Sequence, residues 1–480
     1  MTMSDQKFCL ASCQHCGQHI EFPAEGAGMR VPCPHCAVET ILNEERHATP
    51  DAGEEITAAE LKTALDGAAP PRRVSIFYQA GLLVVAFFMV LLPVAYLAFA
   101  TFIAYCVYWY ALHGLALFSS LAGTFQLLIL KVVLYIGPLL GGAIAVFFMF
   151  KPILARRRKS APPLELNPAQ HPRLYQFIAH LCDLSRVPMP RRIYLSCDLN
   201  AGAGFRRGWL SFFGNDLVVQ LGLPLVAGMN TRQLAAVLAH ELGHCSQFSG
   251  MRLTYVIDSI DGWFARVVYE RDSWDVAFEE WASSVEDSRL SLIVACAGLA
   301  IWLSRKILAL FMLIGHAASC FLSRQQEFHA DSCAMAVAGS AGLESMLLRL
   351  QEQSVIQHLA YTGLNKIWRT RRLLPDSLPD FLEQFEQRLP QGFHDQARLT
   401  LLNQTCGLFA THPTAAQRIQ KARQRDEPGV FALEKPARAL INDFPGTSRL
   451  VTSQFYRVDR RMPVTNPMLK PVEEFFRATS

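Results

Sequence analysis

From Val74 to Leu130 the chain carries no Asp, Glu, Lys or Arg, and after Lys131 a second apolar run continues from Val132 to Phe150. A helix needs roughly 20 apolar residues to cross the hydrocarbon of a bilayer, so this region holds material for at least two crossings. Hydrophobic residues make up 51% of the sequence and the mean hydropathy is +0.19, high for a wholly soluble protein. A soluble fold built around very apolar core helices does not accommodate so long a charge-free stretch. The excess is concentrated where membrane spans would lie.

Basic clusters flank this region at Arg72–Arg73 and Arg156–Lys159. Positive charge at span ends marks the cytoplasmic side, so both flanks are expected there and the number of crossings between them is even. Two is the simplest count, the first span lying within Phe77–Leu112 near the interruption at Pro93, the second ending at Phe150. The net charge of +4 is not laid out as a stripe, and no nucleic-acid partner is expected.

The 480 residues suffice for several units. Residues 1–42 form a cysteine-rich module and 43–73 a polar linker. Residues 74–150 are the transmembrane hairpin, 160–428 a globular domain, and 429–480 a less patterned tail. Within the globular domain an apolar insertion, 290–322, is broken by Arg305–Lys306 into halves that are each short for a comfortable span. It reads either as a buried or interfacial helical hairpin or as a membrane hairpin.

Thirteen cysteines without a secretory leader point to reduced thiols on the cytoplasmic side rather than to a disulfide framework. Four of them form Cys13-x-x-Cys16 and Cys33-x-x-Cys36, a spacing that fits a zinc ribbon with four thiolates around one structural ion. Gly17 and Pro34 suit the tight turns of zinc knuckles, and so short a segment would need the ion in order to fold. Cys9, His15, His19 and His35 are alternative ligands. Few aromatic residues accompany the cysteines, which argues against a stacking surface for nucleic acid.

The globular domain contains His240-Glu241-Leu-Gly-His244 within a run, Thr231–Phe248, that has Leu234, Val237, Leu238 and Leu242 at helical spacing. Asn230 followed by Gln233 predicts a capping-box start. Histidines four residues apart on a helix project from one face and can share an ion. Glu241 stands beside them as a base for a water activated by the metal. Two ordinary half-buried histidines are the plainer reading, but placing two His and a Glu on so apolar a helix is costly without a ligand.

A catalytic zinc keeps three protein ligands and one open position, so a third ligand must come from another element. Ser323-Arg324-Gln-Gln-Glu327-Phe-His329-Ala330-Asp331 supplies Glu327. Asp331, one helical turn on, can receive the free N–H of a ligand histidine. His329 is the other possible ligand here, but its offset of two from Glu327 points it elsewhere. Glu327 must meet His240 and His244 at one ion, so the chain between them crosses the membrane twice or not at all.

These motifs, with Thr411-His412-Pro413 and Arg418-Ile419 later in the chain, resemble the HtpX-like membrane zinc metallopeptidases, relatives of the CAAX prenyl proteases among the gluzincins. The approach to the helix is similar too: Pro190 to Leu195 as a strand, Asn200-Ala201, then Leu217–Leu225. The resemblance covers about 160–420. It implies a mainly α fold with a small β-sheet, a membrane-anchored gluzincin-type domain, His240, His244 and Glu327 as zinc ligands, Glu241 as base and Asp331 as support. It also implies an endopeptidase acting on protein or peptide substrates, membrane proteins among them, in membrane-protein quality control. A bacterial inner membrane, with the ribbon and the catalytic domain facing the cytoplasm, is the expected location.

The family usually carries a second pair of spans after the metal helix, and here that pair is shortened and interrupted. Too little apolar sequence remains for the closed chamber of the CAAX proteases, so prenylated substrates are not expected. His412 is a candidate for stabilising the transition state, the alternative being a helix-start or packing role before Ala415–Ile419. The rival reading is a catalytically silent membrane adaptor with a zinc-ribbon binding module. Such a protein would be expected to lose Glu241 or a ligand first, and all four residues are present.

Overall fold

The computed structural model describes residues 8–12, 19–23, 29–34, 38–41, 56–64, 67, 76–117, 125–154, 163–205, 216–246, 248–269, 280, 283, 288–390, 392–402 and 412–476. The N-terminal module consists of two antiparallel hairpins, β1 (Phe8–Ser12) with β2 (His19–Pro23) and β3 (Arg30–Pro32) with β4 (Glu39–Ile41). Each Cys-x-x-Cys pair falls between the two strands of one hairpin. Cys33 is buried, and its N–H donates to the Val38 carbonyl at 2.9 Å. Cys13, Cys16 and Cys36 lie outside the described residues.

A short helix, α1 (Ala58–Ala64), is started by Thr57, whose hydroxyl accepts from the Glu60 N–H. Ile56 and Leu61 are buried in the same core as the globular domain, and Lys435 donates to Glu60 at 2.9 Å. This docking has a topological consequence. The chain before the apolar helices rests on the body that follows them, so the excursion between begins and ends on one side.

That excursion is α2 (Ile76–Leu117) and α3 (Phe125–Leu154). Pro93 lies inside α2 without ending it. The two helices are joined where tyrosine hydroxyls reach backbone carbonyls of the partner helix: Tyr96 to Met149 at 2.8 Å, Tyr110 to Leu134 at 2.7 Å, Tyr135 to Ala111 at 2.8 Å. Phe77 is 90% exposed and Phe87 73%, surfaces that lipid, not water, would cover. Segments Ile76–Ala116, Leu134–Lys151 and part of Ile301–Arg371 are long and apolar enough to cross a membrane.

The globular domain opens with β5 (Leu164–Glu165), α4 (Pro172–Ser185), β6 (Arg192–Ser196), β7 (Ala201–Phe205) and β8 (Leu217–Gly222). The sheet order is β5-β6-β8-β7, with β6 and β8 parallel and β7 antiparallel at one edge. A short turn of helix, α5 (Leu223–Ala227), leads to α6 (Thr231–Cys245). The capping box expected at Asn230 is present: the Gln233 N–H donates to Asn230 Oδ1 at 2.8 Å, and the Asn230 N–H to Gln233 Oε1 at 3.1 Å.

Helix α7 (Phe248–Tyr269) buries Val256, Ile257, Ile260 and Phe264 in a cluster with Leu82 to Ala100 of α2. It is followed by α8 (Ser288–Arg371), whose early part runs unbroken through Arg305–Lys306. The expected hairpin inside 290–322 is therefore not formed; α7 and the first arm of α8 lie against one another instead. Arg and Lys are good helix formers, and a pair of them need not break a helix when their heads reach away from the apolar surface. Lys306 Nζ lies 5.5 Å over the Trp302 ring, one turn back.

The remaining elements are β9 (Leu374–Pro375), α9 (Leu378–Glu386), α10 (Gly392–Leu402), α11 (Ala415–Arg425), α12 (Phe444–Gln454) and β10 (Leu469–Lys470), which pairs with β9. Residues 429–476 are not an appendage. Phe431, Leu440, Ile441, Phe444, Val451, Tyr456 and Val472 are buried in the main core. Short helical turns space these apolar residues irregularly, which hid them from any periodic pattern.

Helix α8 changes direction at Gly339, where φ is +79° and ψ 167°. A Cβ there would lie 2.4 Å from the Pro428 carbonyl, and one on Gly429 (φ +72°) would meet the Gly339 nitrogen at 2.2 Å. The crossing is sealed by the Ser340 N–H donating to the Glu427 carbonyl at 2.8 Å and the Val430 N–H to the Val337 carbonyl at 2.9 Å. It fixes α11 against α8. Replacing Gly339 by Ala is expected to destabilise the protein by at least about 2 kcal/mol, since this backbone region is nearly closed to other residues. Chemical denaturation in detergent followed by tryptophan fluorescence measures it, and a change under about 0.5 kcal/mol would mean the crossing tolerates a side chain.

Candidate active site

Helices α6 and α8 meet where Gly243 faces Ala330 and Cys333. A Cβ on Gly243 would stand 2.9 Å from Cys333 Cβ and 3.1 Å from Ala330 Cα, so the approach depends on its absence. Helix α6 is buried nearly all round, and His240 and His244, one turn apart, share the face turned to Glu327 on α8.

Glu327 enters this space from α8. Its Oε2 lies 3.5 Å from His240 Nε2 and its Oε1 3.7 Å from His244 Nε2, and the two histidine Nε2 atoms are 3.3 Å apart. Ligands bound tetrahedrally at zinc distances of about 2.0–2.2 Å stand about 3.3–3.6 Å from one another. The two Glu327 contacts are made by different oxygens of its carboxylate; taken as one donor atom per residue, the cluster lies within 4.8 Å, close enough to share one ion. Two imidazoles and a carboxylate are also the donor types zinc accepts.

Behind the cluster, Asp331 Oδ1 lies 3.2 Å from His240 Nδ1. Arg418 on α11 donates through Nε to Asp331 Oδ2 at 2.9 Å and through Nη2 to Oδ1 at 2.5 Å. Arg418 Nη2 is also 3.3 Å from His240 Nδ1. Both cannot donate to each other, so with Nε2 turned to the cluster, Nδ1 keeps its proton for Asp331 and the guanidinium merely borders it. Arg418 Nη1 stands 3.8 Å from Glu327 Oε2, so one buried cation faces both carboxylates.

The electrostatics follow from this crowding. Burial opposes charge on His240, but its hydrogen bonds with Asp331 and Glu327 outweigh burial and push its pKa up to about 9. His244 falls to about 4, because partial burial disfavours its charge and His240 stands beside it. Glu327 is held well below the usual carboxylate range: burial works against ionisation, but His240 and His412 overcome it. The negative potential that draws a proton to His240 also draws a divalent cation. Burial raises the Glu241 pKa, with Glu327 adding to the rise and His240 opposing it. A carboxyl poised above its ordinary value is suited to accepting a proton.

The edge strand β7 completes the site. The Asn200 carbonyl accepts from the Gly222 N–H at 2.9 Å. Hydrogen-bonded positions alternate along an antiparallel pair, so Gly202 and Gly204 face β8 while Ala201 and Ala203 turn their polar groups outward. The Ala203 N–H reaches the Glu241 carboxylate. Beside this edge opens a cavity of about 810 Å³ whose wall includes Ala203, Gly204, His244, Glu327 and His412.

All of the residues expected at the metal cluster are brought together: His240, His244, Glu327, Glu241 and Asp331. His412 joins them, with Nδ1 3.1 Å from Glu327 Oε1 and its side chain 71% exposed. The cap of α11 is made instead by Thr414, whose hydroxyl accepts from the Gln417 N–H at 3.2 Å, so the helix start does not need His412. His329 points toward Cys333 on its own helix, at 3.8 Å. Arg418 is the participant that sequence reasoning passed over. Its Arg-Ile pair was visible as a motif, but nothing in the spacing said that this arginine would reach Asp331 across the fold.

The sequence profile of peptidase family M48 matches residues 168–426, more than half of the chain. Among curated proteins, protease HtpX of Acinetobacter baumannii (strain AYE) is 28% identical over 262 residues, covering 53% of this chain and 72% of its own. Protease HtpX of Acinetobacter baylyi is 26% identical over 261 residues, with the same coverage of 53% and 72%. Protease HtpX of Pseudomonas syringae pv. syringae is 24% identical over 257 residues, covering 52% and 71%. No solved structure matches. With apolar helices long enough to span a bilayer and a His-His-Glu cluster able to hold a metal, the chain belongs to peptidase family M48 and is a membrane-anchored zinc metallopeptidase.

Proposed function

We propose that His240, His244 and Glu327 hold one catalytic zinc and that Glu241 is the general base of an endopeptidase acting on membrane proteins. The observation that carries this reading is the convergence of two imidazoles and a carboxylate, one donor atom from each within 4.8 Å of the others, beside the half-buried Glu241 at the edge of an open cavity. Zinc bound there supplies a Lewis acid that polarises the scissile carbonyl and acidifies the attacking water.

The chain's own residues do the rest. The outward N–H and carbonyl of Ala201 and the outward carbonyl of Ala203 pair with an extended substrate as an added strand and bring its backbone to Glu241, which the Ala203 N–H holds in place. Glu241 takes the proton of the attacking water and passes it to the leaving amine. Asp331 fixes the His240 ring through Nδ1, and Arg418 holds Asp331 in place and offsets its charge. His412, exposed at the mouth, is placed to donate to the oxyanion.

Docking of α1 on the globular domain supports an even number of crossings in α2 and α3, and the basic flanks favour the cytoplasmic side for the ribbon and the catalytic domain. A bacterial inner membrane and a part in quality control rest on the resemblance to HtpX. The paired hairpins around the two Cys-x-x-Cys motifs favour a structural zinc on Cys13, Cys16, Cys33 and Cys36.

Detergent-purified protein is expected to carry about two zinc per chain, falling to about one when Cys33 and Cys36 are both replaced by Ser. Casein cleavage is expected to drop by about 10²–10⁴-fold in Glu241→Gln with zinc retained. Cleavage persisting in that variant would remove Glu241 from the mechanism. Arg418→Ala is expected to weaken catalytic zinc about 10–100-fold, read by competition with a chelator; unchanged affinity would show that Asp331 needs no support.

A further inference from the structure

One face of α7 lies along the cavity. Tyr255, Asp258, Gly262, Ala265 and Tyr269 recur at helical spacing and all line it, while Val256, Ile257, Ile260 and Phe264 on the opposite side pack toward α2. The small residues at 262 and 265 leave room: a Cβ on Gly262 would meet nothing within 4 Å. Asp258 is exposed into this space. Asp261 is half-buried in the same wall; its Oδ2 accepts from the Ser319 hydroxyl of α8 at 3.0 Å, and its Oδ1 is buried with no hydrogen-bond partner among the described residues.

The opposite wall is the first arm of α8, with Met312, Leu313 and His316, and the space is continuous with His244, Glu327 and His412 at the metal cluster. Among the described residues the lining holds no Lys or Arg. Its only groups able to carry positive charge are the three histidines. Among the described residues, two carboxylates beyond the metal ligand therefore face a cavity lined by no fixed cation, on a helix whose other face is packed against an apolar span. Ser319 accounts for one oxygen of Asp261, and the cavity-facing charge of Asp258 is not explained by packing.

We propose that Asp258 and Asp261 form a specificity subsite that takes a Lys or Arg side chain of the polypeptide held for cleavage. This rests on the peptidase reading above and names its substrate class. Two carboxylates discriminate by charge: a cationic side chain recovers its desolvation cost in ion pairs, while an acidic one is desolvated and repelled. Lys and Arg are concentrated in the short loops flanking the cytoplasmic ends of transmembrane helices. A catalytic domain tethered beside the bilayer meets those loops first, so the subsite selects juxtamembrane segments of other membrane proteins.

The test uses the full-length, zinc-loaded protein and fluorogenic peptides that differ only in bearing Lys, Gln or Glu, the position stepped along both sides of the cleaved bond. At one position kcat/KM is expected to favour Lys over Glu by about ten-fold or more. That ratio is expected to fall toward one in the double variant Asp258→Asn, Asp261→Asn, and to invert in Asp258→Lys. The inactive Glu241→Gln protein, titrated with the same peptides by anisotropy, is expected to bind the Lys peptide more tightly than the Glu peptide. Equal cleavage of Lys and Glu peptides at every position, or a preference that survives in both Asp variants, would overturn the subsite while leaving the peptidase standing. Absence of any Glu241-dependent cleavage would overturn the peptidase reading and the subsite with it.

Discussion

The close crossing of α6 and α8 at Gly243 is the contact on which the chemistry depends. His240 and His244 belong to one helix and Glu327 to another that is distant in sequence, and a metal site exists only if the two backbones come within reach of a short carboxylate side chain. With no Cβ at Gly243, Ala330 and Cys333 fit against α6 and carry Glu327 and Asp331 to opposite sides of His240. The crossing also concentrates charge. Glu241, Glu327 and Asp331 stand around two histidines, and Arg418 is the buried cation that balances them. Such a pair contributes little net stability, but removing one partner would strand a charge at a cost of roughly 3–5 kcal/mol. Its value here is orientation: Asp331 sets which nitrogen of His240 keeps the proton.

The same helices connect the site to the membrane. The early part of α8 is apolar and packs with α2 and α7, while its continuation past Ser323 carries the ligand and its support. One rigid element thus fixes the height of the metal cluster relative to the spans. Helix α7 adds a wall that is apolar toward α2 and polar toward the cavity, so the substrate space extends from the sheet edge along the side of the bundle. The Gly339–Gly429 crossing holds α11 in register with this frame, which is how an arginine near the end of the domain comes to sit at its centre.

Much of the site was legible in the sequence because its logic is local. His240, Glu241 and His244 share a helix whose start was written in Asn230 and Gln233, and Glu327 and Asp331 are one turn apart on another. The apolar helices were equally plain, since a charge-free run as long as Val74 to Leu130 leaves few alternatives. What could not be read was long-range. Arg418 lies on a strongly basic helix where any arginine might face solvent, and only the chain crossing at Gly339 selects this one. The interruption expected at Arg305–Lys306 did not form, because two long cationic side chains can continue a helix as readily as end it. The residues after Pro428 looked unpatterned because 3₁₀ turns and short helices bury apolar side chains at no constant spacing.

The central claim is that one ion is held jointly by α6 and α8. Anomalous diffraction at the zinc edge, from crystals of the zinc-loaded protein, tests it most directly. The expected result is a peak about 2.0–2.2 Å from His240 Nε2, His244 Nε2 and an oxygen of Glu327, with Asp331 in contact with His240 Nδ1. A peak held by His240 and His244 but completed by His412, with Glu327 turned away, would contradict the assignment of the third ligand. So would the absence of any peak between the two helices.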